Sequence, residues 1–452
     1  MDILMLKEIT LILLNGTAIY FLAINLIYAL LAIVSWLKIK HFRKHYQNID
    51  VLDLPSVSFL IPAYNEEDLI IETIQTYLSL PHVNKEIIIV NDGSHDQTMR
   101  LLQVMFQLKK EDHPTGTLFQ SITRPELKVI KASRMGKAEA LNYGLQFTTH
   151  DLICTMDADT IPTSKGVETC LHAFKLDSKL VAAGGVIQVL SGNELKNNSP
   201  LDRQKRKWLN SFQRIEYIRT FICERLGWSF MDSTILISGA FCMIKKDAIT
   251  KIGGFCPTSM TEDLELIVRL RKFYKGSDYR FKILPVTTCY TQVPITLEHL
   301  SRQRMRWQMG LIQTLLQNSS LILHPQHGFL GLMAIPYFWL VEVFSPIMVL
   351  ISFVLVPFCL FSQWIDPFHV LIFFSAGIIF NLLMTLLGIY FDDKYVTKKK
   401  SWSTSASILE TILIHFGYKQ LNAWWRLKGI LKAFSKSHNW GDRPRAEIIH
   451  RT

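Results

Sequence analysis

Three apolar stretches constrain every fold open to this chain. Residues 9–37 are almost wholly apolar, well past the roughly 20 residues that a membrane-spanning helix needs. Residues 329–361 and 367–391 repeat the pattern near the other end. The first stretch is too long for a signal-peptide core, and no small-residue cleavage site follows it. Lys38, Lys40, His41, Arg43 and Lys44 come directly after it, against only Asp2, Lys7 and Glu8 before it. The positive-inside rule therefore puts the N-terminus outside and the middle of the chain in the cytosol. Pro336 and Pro346 divide 329–361 into a short interfacial helix and a span near 341–361, and 367–391 forms the next span. Lys394 and Lys398 to Lys400 return the chain to the cytosol. Residues 403–425 carry Glu410, His415 and Lys419, which are costly at mid-bilayer, and a basic tail follows them. They read as an interfacial or re-entrant element.

Between the flanking segments the period changes. Residues 57–61, 86–90, 127–131, 151–156 and 181–189 are short apolar strands. Residues 69–80, 99–108 and 138–146 lie between them at helical spacing. Strand, polar turn and helix in repetition predict an α/β domain with a mostly parallel sheet covered on both faces, ligands gathering at the carboxyl ends of the strands. Further on, 203–226 reads as a long amphipathic helix opening on Arg203, Lys205, Arg206 and Lys207. Residues 238–244 read as a glycine-containing strand, and 261–270 as a helix with Glu262 and Asp263 in its first turn. The expected organisation is a transmembrane helix with its basic flank (1–50), a cytosolic domain (51–328), a membrane region (329–425) and a basic cytosolic tail (426–452).

A formal charge of +11 suits anionic lipid, phosphorylated small molecules or nucleic acid. The basic residues cluster beside apolar stretches and no nucleic-acid motif is present, so no nucleic-acid partner is expected. Seven cysteines, an odd number without CxxC pairing, argue against structural zinc and a disulfide framework, and point to a reducing compartment.

Several polar groups fall where such a domain binds ligands. Asp157 and Asp159 follow the strand 151–156, and hard cations such as Mg²⁺ or Mn²⁺ take one or two carboxylates plus phosphate oxygens. A plain acidic turn has the same appearance. Asp92 in Asn91-Asp92-Gly93-Ser94 could accept from a nucleobase or ribose, or simply shape an Asp-Gly turn. Lys137 opens a helix, a natural anion site, or is a surface lysine. Glu262 and Asp263 offer a proton acceptor, or satisfy a helix start. Gln303, Arg306 and Trp307 recur at i, i+3 and i+4 of the basic stretch 298–310. That face suits a phosphate or sugar, and equally a helix resting on lipid headgroups with Trp307 as its anchor.

Taken together and in order, PAYNEE (62–67), NDGS (91–94), GKAEALN (136–142), DADT (157–160), TED (261–263) and QRMRW (303–307) resemble the inverting family-2 glycosyltransferases. Within that family the series is similar to the membrane-embedded synthases of cellulose, chitin, hyaluronan and poly-N-acetylglucosamine. The resemblance covers roughly residues 55–310, and the flanking spans match in arrangement. It implies a GT-A-like domain in which Ala63, Tyr64 and Glu66 line the nucleotide pocket and Asp92 meets the uracil. It implies that Lys137 and Asp157 assist the donor, that Asp159 binds the metal on the diphosphate, and that Asp263 is the general base beside Glu262. Gln303 and Arg306 would hold the diphosphate, Trp307 would pack beside the acceptor sugar, and Gly239 would lie on an acceptor-side strand, 238–241.

The expected activity is transfer from a UDP-sugar, first UDP-N-acetylglucosamine, with Mg²⁺ or Mn²⁺, to a growing β-linked glycan at the inner cell membrane, processive and coupled to export. One-sugar transfer to a lipid acceptor is the alternative; a non-enzymatic nucleotide-sugar receptor fits the candidate base less well. Compared with several polymer-secreting relatives the chain has fewer C-terminal spans. A pore would need 403–425 to cross the bilayer, an export partner or a homo-oligomer.

Overall fold

The computed structural model describes residues 3–45, 53–113, 116–190, 208–397 and 404–435. Arg203 to Lys207, Lys398 to Lys400 and the tail beyond 435 lie outside the described residues. Helix α1 (Ile3–His45) outlasts its apolar span. The end of its apolar stretch and the turn beyond dock on protein: Leu31, Ala32, Ser35 and Ile39 are buried, and the Ser35 hydroxyl donates to the Ile222 carbonyl at 2.5 Å.

The first half of the domain runs β1 (Val57–Ala63), α2 (Ile70–Leu78), β2 (Lys85–Asp92), α3 (Thr98–Met105), β3 (Leu108–His113), β4 (Gly116–Ser121), β5 (Leu127–Ala132), α4 (Lys137–Leu145), β6 (Leu152–Thr155), β7 (Thr160–Pro162), α5 (Ser164–Leu176) and β8 (Leu180–Val189). The second half adds α6 (Trp208–Ile218), a π-helical stretch Arg219–Arg225, α7 (Leu226–Phe230), β9 (Cys242–Lys245), α8 (Lys246–Lys251), α9 (Glu262–Phe273), β10 (Arg280–Thr291) and α10 (Leu297–Gln317). One ten-stranded sheet has the order β3-β4-β5-β2-β1-β6-β9-β8-β10-β7. Its heart, β5-β2-β1-β6, is parallel, as is β8 with β10; β3, β4, β9 and β7 join antiparallel. Ile87 to Val90 are fully buried, the uniform apolarity of a strand covered on both faces. Helix α2 buries Ile70, Thr73, Ile74 and Tyr77, one stripe at i, i+3, i+4 and i+7. Six of the seven cysteines are buried and all are free.

The strands expected from hydrophobic runs are present, with corrections at their ends. Pro62 does not end β1: it lies past the last β6 partner, Leu60 opposite Thr155, so its missing N–H breaks no bond on that side. The helix expected over 99–108 stops at Met105, and Leu108 opens an edge hairpin. The strand expected over 238–244 starts only at Cys242, and Ser238 to Phe241 form a turn instead. Strand β10 goes unpredicted because Pro285 interrupts it. The proline sits where the register with β8 shifts between Leu284 and Thr287, a bulge that tolerates a residue without a donor.

Among the described residues three helices are long and apolar enough to cross a membrane: Ile3–Phe42, Leu330–Phe361 and Pro367–Val396. They flank the α/β domain. The second is one helical run, with π-helical turns around α11 (Ile335–Tyr337) leading into α12 (Ser345–Phe361). Its prolines do not split it as expected from sequence. Pro346 occupies the first turn of α12, where a helix has no use for that N–H. Helix α13 (Pro367–Phe391) follows. The remaining segment is two helices, α14 (Thr404–Leu413) and α15 (Lys419–Phe434), broken at Phe416 and Gly417, the latter at φ +97°. Helix α15 buries Trp425, Ile430 and Ala433 and leaves other apolar side chains, Leu421, Trp424, Leu431 and Phe434, exposed.

Candidate active site

The carboxyl ends of β1, β2, β5 and β6 converge on one cavity of about 690 Å³, open on one side. Every site residue expected from sequence lines it: Ala63, Tyr64 and Glu66 after β1, Asp92 at the end of β2, Lys137 at the start of α4, Asp157 and Asp159 after β6, Gly239, Glu262 and Asp263, and Gln303, Arg306 and Trp307 on α10.

The floor is built by loops that cross-link one another. Asn65, at φ +55°, donates its backbone N–H to Ser94 Oγ at 3.0 Å and accepts from the His95 N–H at 2.9 Å. The loops after β1 and β2 are thereby locked together. Asp92 is almost wholly buried, and its carboxylate accepts from the Met135 and Gly136 N–H groups at 2.7 and 2.9 Å and from Arg134 Nη1 at 2.8 Å. Arg134 also lies 3.4 Å from the centre of the Tyr64 ring. Asp92 thus holds the loop that leads into α4, and a planar stack of ring and guanidinium forms beside it.

Lys137 is the electrostatic centre. Its Nζ lies 2.6 Å from Asp157 Oδ1 and 2.9 Å from Glu262 Oε1. Burial works against this ammonium, but Asp157, Glu262 and Asp263 outweigh it and raise its pKa. Burial also works to raise the Glu262 carboxyl, yet Lys137 and Arg306 hold it down at about 2. Asp263 behaves oppositely. Its Oδ2 accepts from the Gly239 N–H and its Oδ1 from the Leu264 N–H, both at 2.8 Å. Burial and neighbouring Glu262 nonetheless lift its carboxyl above the ordinary aspartate value, against Lys137 and those two N–H groups. The turn at 238–241 therefore serves to aim this carboxylate rather than to form a strand.

On the far side Asp159 is pushed up to about 7 by burial and Asp157, and Glu66 to about 8 by burial, Asp159 and Asp157. Such crowding of carboxyls on one wall is relieved by a cation. Among the described residues no group of three or more protein ligands could hold a metal by itself. A divalent ion would use the Asp157/Asp159 loop and draw its other oxygens from phosphate and water, which is how Mg²⁺ and Mn²⁺ commonly bind nucleotides. The donor set fits such an ion.

The α10 residues face the same space. Arg306 Nη1 lies 3.5 Å from the Met260 carbonyl, just ahead of Glu262 and Asp263. Gly310 brings the helix against that segment: a Cβ there would stand 2.3 Å from Thr261 Oγ1 and 2.5 Å from its Cγ2. Gly310→Ala should lower stability by about 1–3 kcal/mol, the cost of overpacking. That sign is opposite to the usual gain from Gly→Ala inside a helix. By moving α10 off the acidic pair it should also cut turnover roughly ten-fold or more. Melting temperature and kcat on one preparation would check both; a stabilised, fully active variant would contradict the contact.

Sequence reasoning missed a second set of residues on the cavity wall: Arg134, Glu216, Glu224, Arg304, Glu342, Asn422 and Arg426. Arg134 belongs to the floor beside Asp92 and Tyr64, and the other six extend the cavity beyond Asp263 toward the helices that follow and precede the sheet. Arg304 stands within the motif stretch, but nothing in that stretch says that its partner is Glu216, 88 residues earlier.

Residues 58–252 match the family described as Glycosyl transferase family 2. A poly-beta-1,6-N-acetyl-D-glucosamine synthase of Staphylococcus aureus (strain MSSA476) is 32% identical over 271 residues, 60% of this chain and 58% of that protein. The synthase of the same name from Staphylococcus epidermidis is 31% identical over 262 residues, 58% of this chain and 56% of that one. The chain thus spans a little over half the length of these curated relatives. A mannosyltransferase from Pyrobaculum calidifontis, solved in complex with GDP-Man and Mn²⁺, aligns at a TM-score of 0.57 and 17% identity over 90% of this chain and 99% of that one. That likeness establishes the shared fold.

Proposed function

We propose that this chain, through its family-2 glycosyltransferase domain, transfers N-acetylglucosamine from UDP-N-acetylglucosamine to a growing β-linked glycan at the membrane surface. The observation that carries the reading is Asp263, a half-buried carboxylate of raised pKa held by two backbone N–H groups at the cavity that Lys137, Gln303, Arg306 and the Asp157/Asp159 loop line. The name shared by the staphylococcal relatives supports the choice of sugar and a β-1,6 linkage.

In this mechanism the uracil lies beside Asp92 and the Tyr64–Arg134 stack, and the nucleotide runs along Ala63 and Glu66. Lys137, Gln303 and Arg306 hold the diphosphate. A divalent ion, Mg²⁺ or Mn²⁺, held by Asp159 with Asp157 would supply charge neutralisation to that diphosphate. Asp263 takes the proton of the acceptor hydroxyl, whose oxygen attacks the anomeric carbon from the face opposite the diphosphate. The C–O bond to the diphosphate breaks as the new one forms, and the negative charge that leaves is received by Arg306 and Lys137, groups already fixed in place. An α-linked donor yields a β-glycoside. Trp307 supplies the acceptor platform.

Three helices long and apolar enough to span support a cavity at a bilayer surface, and the basic residues Lys38 to Lys44 in the last turns of α1 support a cytosolic domain. A glycan of many units, passed outward with an export partner or a second copy, is the fuller reading. Protein in detergent or liposomes, assayed for UDP release over a panel of UDP-sugars with Mg²⁺ or Mn²⁺, should respond most to UDP-N-acetylglucosamine. The product should yield to a β-1,6-specific hydrolase. Products carrying one added sugar would rule out polymerisation, and absence of UDP release from every donor would rule out the transferase reading.

A further inference from the structure

Helix α15 is the last described helix of the chain, and its apolar face already docks it on α10. Trp425, Ile430 and Ala433 are buried there, and at Gly429 an added Cβ would come within 2.9 Å of the Met305 carbonyl oxygen and the Gln308 Cβ. Packing alone would hold such a helix. The adjoining face, continued back by Tyr418 at the residue before the helix, is instead polar: Tyr418, Asn422 and Arg426 at i, i+4 and i+8.

Each of these three reaches a carboxylate on the cavity wall. The Tyr418 hydroxyl donates to Glu216 Oε2 at 2.9 Å and Asn422 Nδ2 to Glu216 Oε1 at 3.2 Å. The same carboxylate receives Arg304 Nη2 at 2.5 Å, and the Arg304 guanidinium lies 4.9 Å from the centre of the Trp307 ring. One turn further on, Arg426 donates from Nη2 to Glu342 Oε2 and from Nε to Gln308 Oε1, both at 2.7 Å. Gln308 is buried and in turn donates from Nε2 to the Glu342 carbonyl at 3.0 Å. The two arms of the clamp grip α10 at residues 304 and 308, on either side of Trp307.

We infer that Tyr418, Asn422 and Arg426 are positioning residues of the glycosyl-transfer site, setting the Trp307 ring through Arg304 and Gln308. The inference rests on the reading of Trp307 as the acceptor platform. Ion pairs at a partly hydrated wall add little to stability, so their value here is in side-chain geometry: the bridged acceptors fix the Arg304 and Gln308 side chains that flank the Trp307 ring. The clamp ties α15 to acceptor geometry, while the axis of α10, and with it Gln303 and Arg306, is held separately by buried Leu300, Ile312 and Leu315 and by Gly310 against Thr261.

The test uses full-length protein in detergent, with UDP-N-acetylglucosamine as donor and short β-linked N-acetylglucosamine oligosaccharides as acceptor, and UDP affinity from calorimetry. Arg426→Ala should leave UDP affinity within about two-fold while transfer falls roughly ten-fold or more, the scale of a lost hydrogen bond to a charged group, carried by acceptor KM. In a Trp307→Ala background the same substitution should add less than about a two-fold loss, since residues acting through one group are not additive. Tyr418→Phe, which removes one hydroxyl and cannot unfold the helix, should reproduce the pattern at roughly three-fold. Wild-type transfer in Arg426→Ala overturns the inference, as do additive losses with Trp307→Ala. If UDP affinity and transfer fall in parallel in Arg426→Ala, Tyr418→Phe decides: unchanged transfer there leaves a structural brace and no positioning role. Wild-type protein that turns over no UDP-sugar overturns the parent reading instead, and with it the clamp's purpose, before any variant is compared.

Discussion

Asp263→Asn should lower sugar transfer by about 10²- to 10⁴-fold, the usual contribution of a general base, while UDP affinity stays within about two-fold. The substitution keeps shape and removes basicity. The Asp263 oxygens are taken by the Gly239 and Leu264 N–H groups, each at 2.8 Å. An asparagine oxygen can still accept from one of them, so α9 should keep its start. The donor's binding groups stand elsewhere, on the strand ends and on α10. A direct comparison of kcat with UDP affinity would check this, and a variant that still turns over would remove Asp263 from the base role. The raised Asp263 pKa adds a pH signature. The base works only when ionised, so the acid limb of kcat/KM in the parent protein should rise through a value above the ordinary aspartate range.

Replacing Lys137 should do comparable damage by a different route. Lys137→Ala strips the shared counter-charge from Asp157 and Glu262 and leaves Asp159 and Asp263 in a more negative cavity. Two effects follow. The donor diphosphate meets uncompensated carboxylates, so donor KM rises, and the leaving charge loses a fixed partner; together these should cost roughly 10²- to 10³-fold in kcat/KM. The second effect has a definite sign. Lys137 opposes the rise of the Asp263 pKa, so without it the base holds its proton to higher pH and the acid limb moves up. Lys137→Arg should recover part of the activity, because charge returns while a planar fork replaces a compact ammonium poised between two carboxylates. A pH–rate profile of Lys137→Ala with the acid limb unmoved would contradict the role assigned to the lysine.

How far these groups could be read before folding depends on how local their signals are. Asp92, Asp157 and Asp159 follow apolar runs of strand length, and a parallel strand places whatever follows it at the ligand edge. Lys137 follows Gly136, whose φ of +94° lets the chain turn into α4. Gln303, Arg306 and Trp307 share a face by helical period alone. For these residues position in sequence nearly dictates position in space, and all of them line the cavity. Strand β10 was hidden by Pro285, whose cost vanishes only at a bulge against β8. The charged hairpin strand Leu108–His113 has no apolar period and exists because β4 lies beside it. Gly239 has the look of a strand residue in sequence, whereas the structure makes it a donor to Asp263 from 24 residues away.

By itself, the sequence determines the architecture of this protein: apolar segments long enough to cross a bilayer around an α/β domain, with carboxylates and cations at the strand ends that suit a diphosphate sugar. These depend on runs, periods and turns spanning a few residues each, and the backbone converts them directly into place. What tertiary structure alone decides is the frame around Trp307. Arg304 meets Glu216 across 88 residues, and Arg426 meets Glu342 and Gln308 across 84 and 118. No local period encodes such pairs. They arise because α10 and α15 bury their apolar faces against each other, and that burial fixes which polar groups are left to find one another.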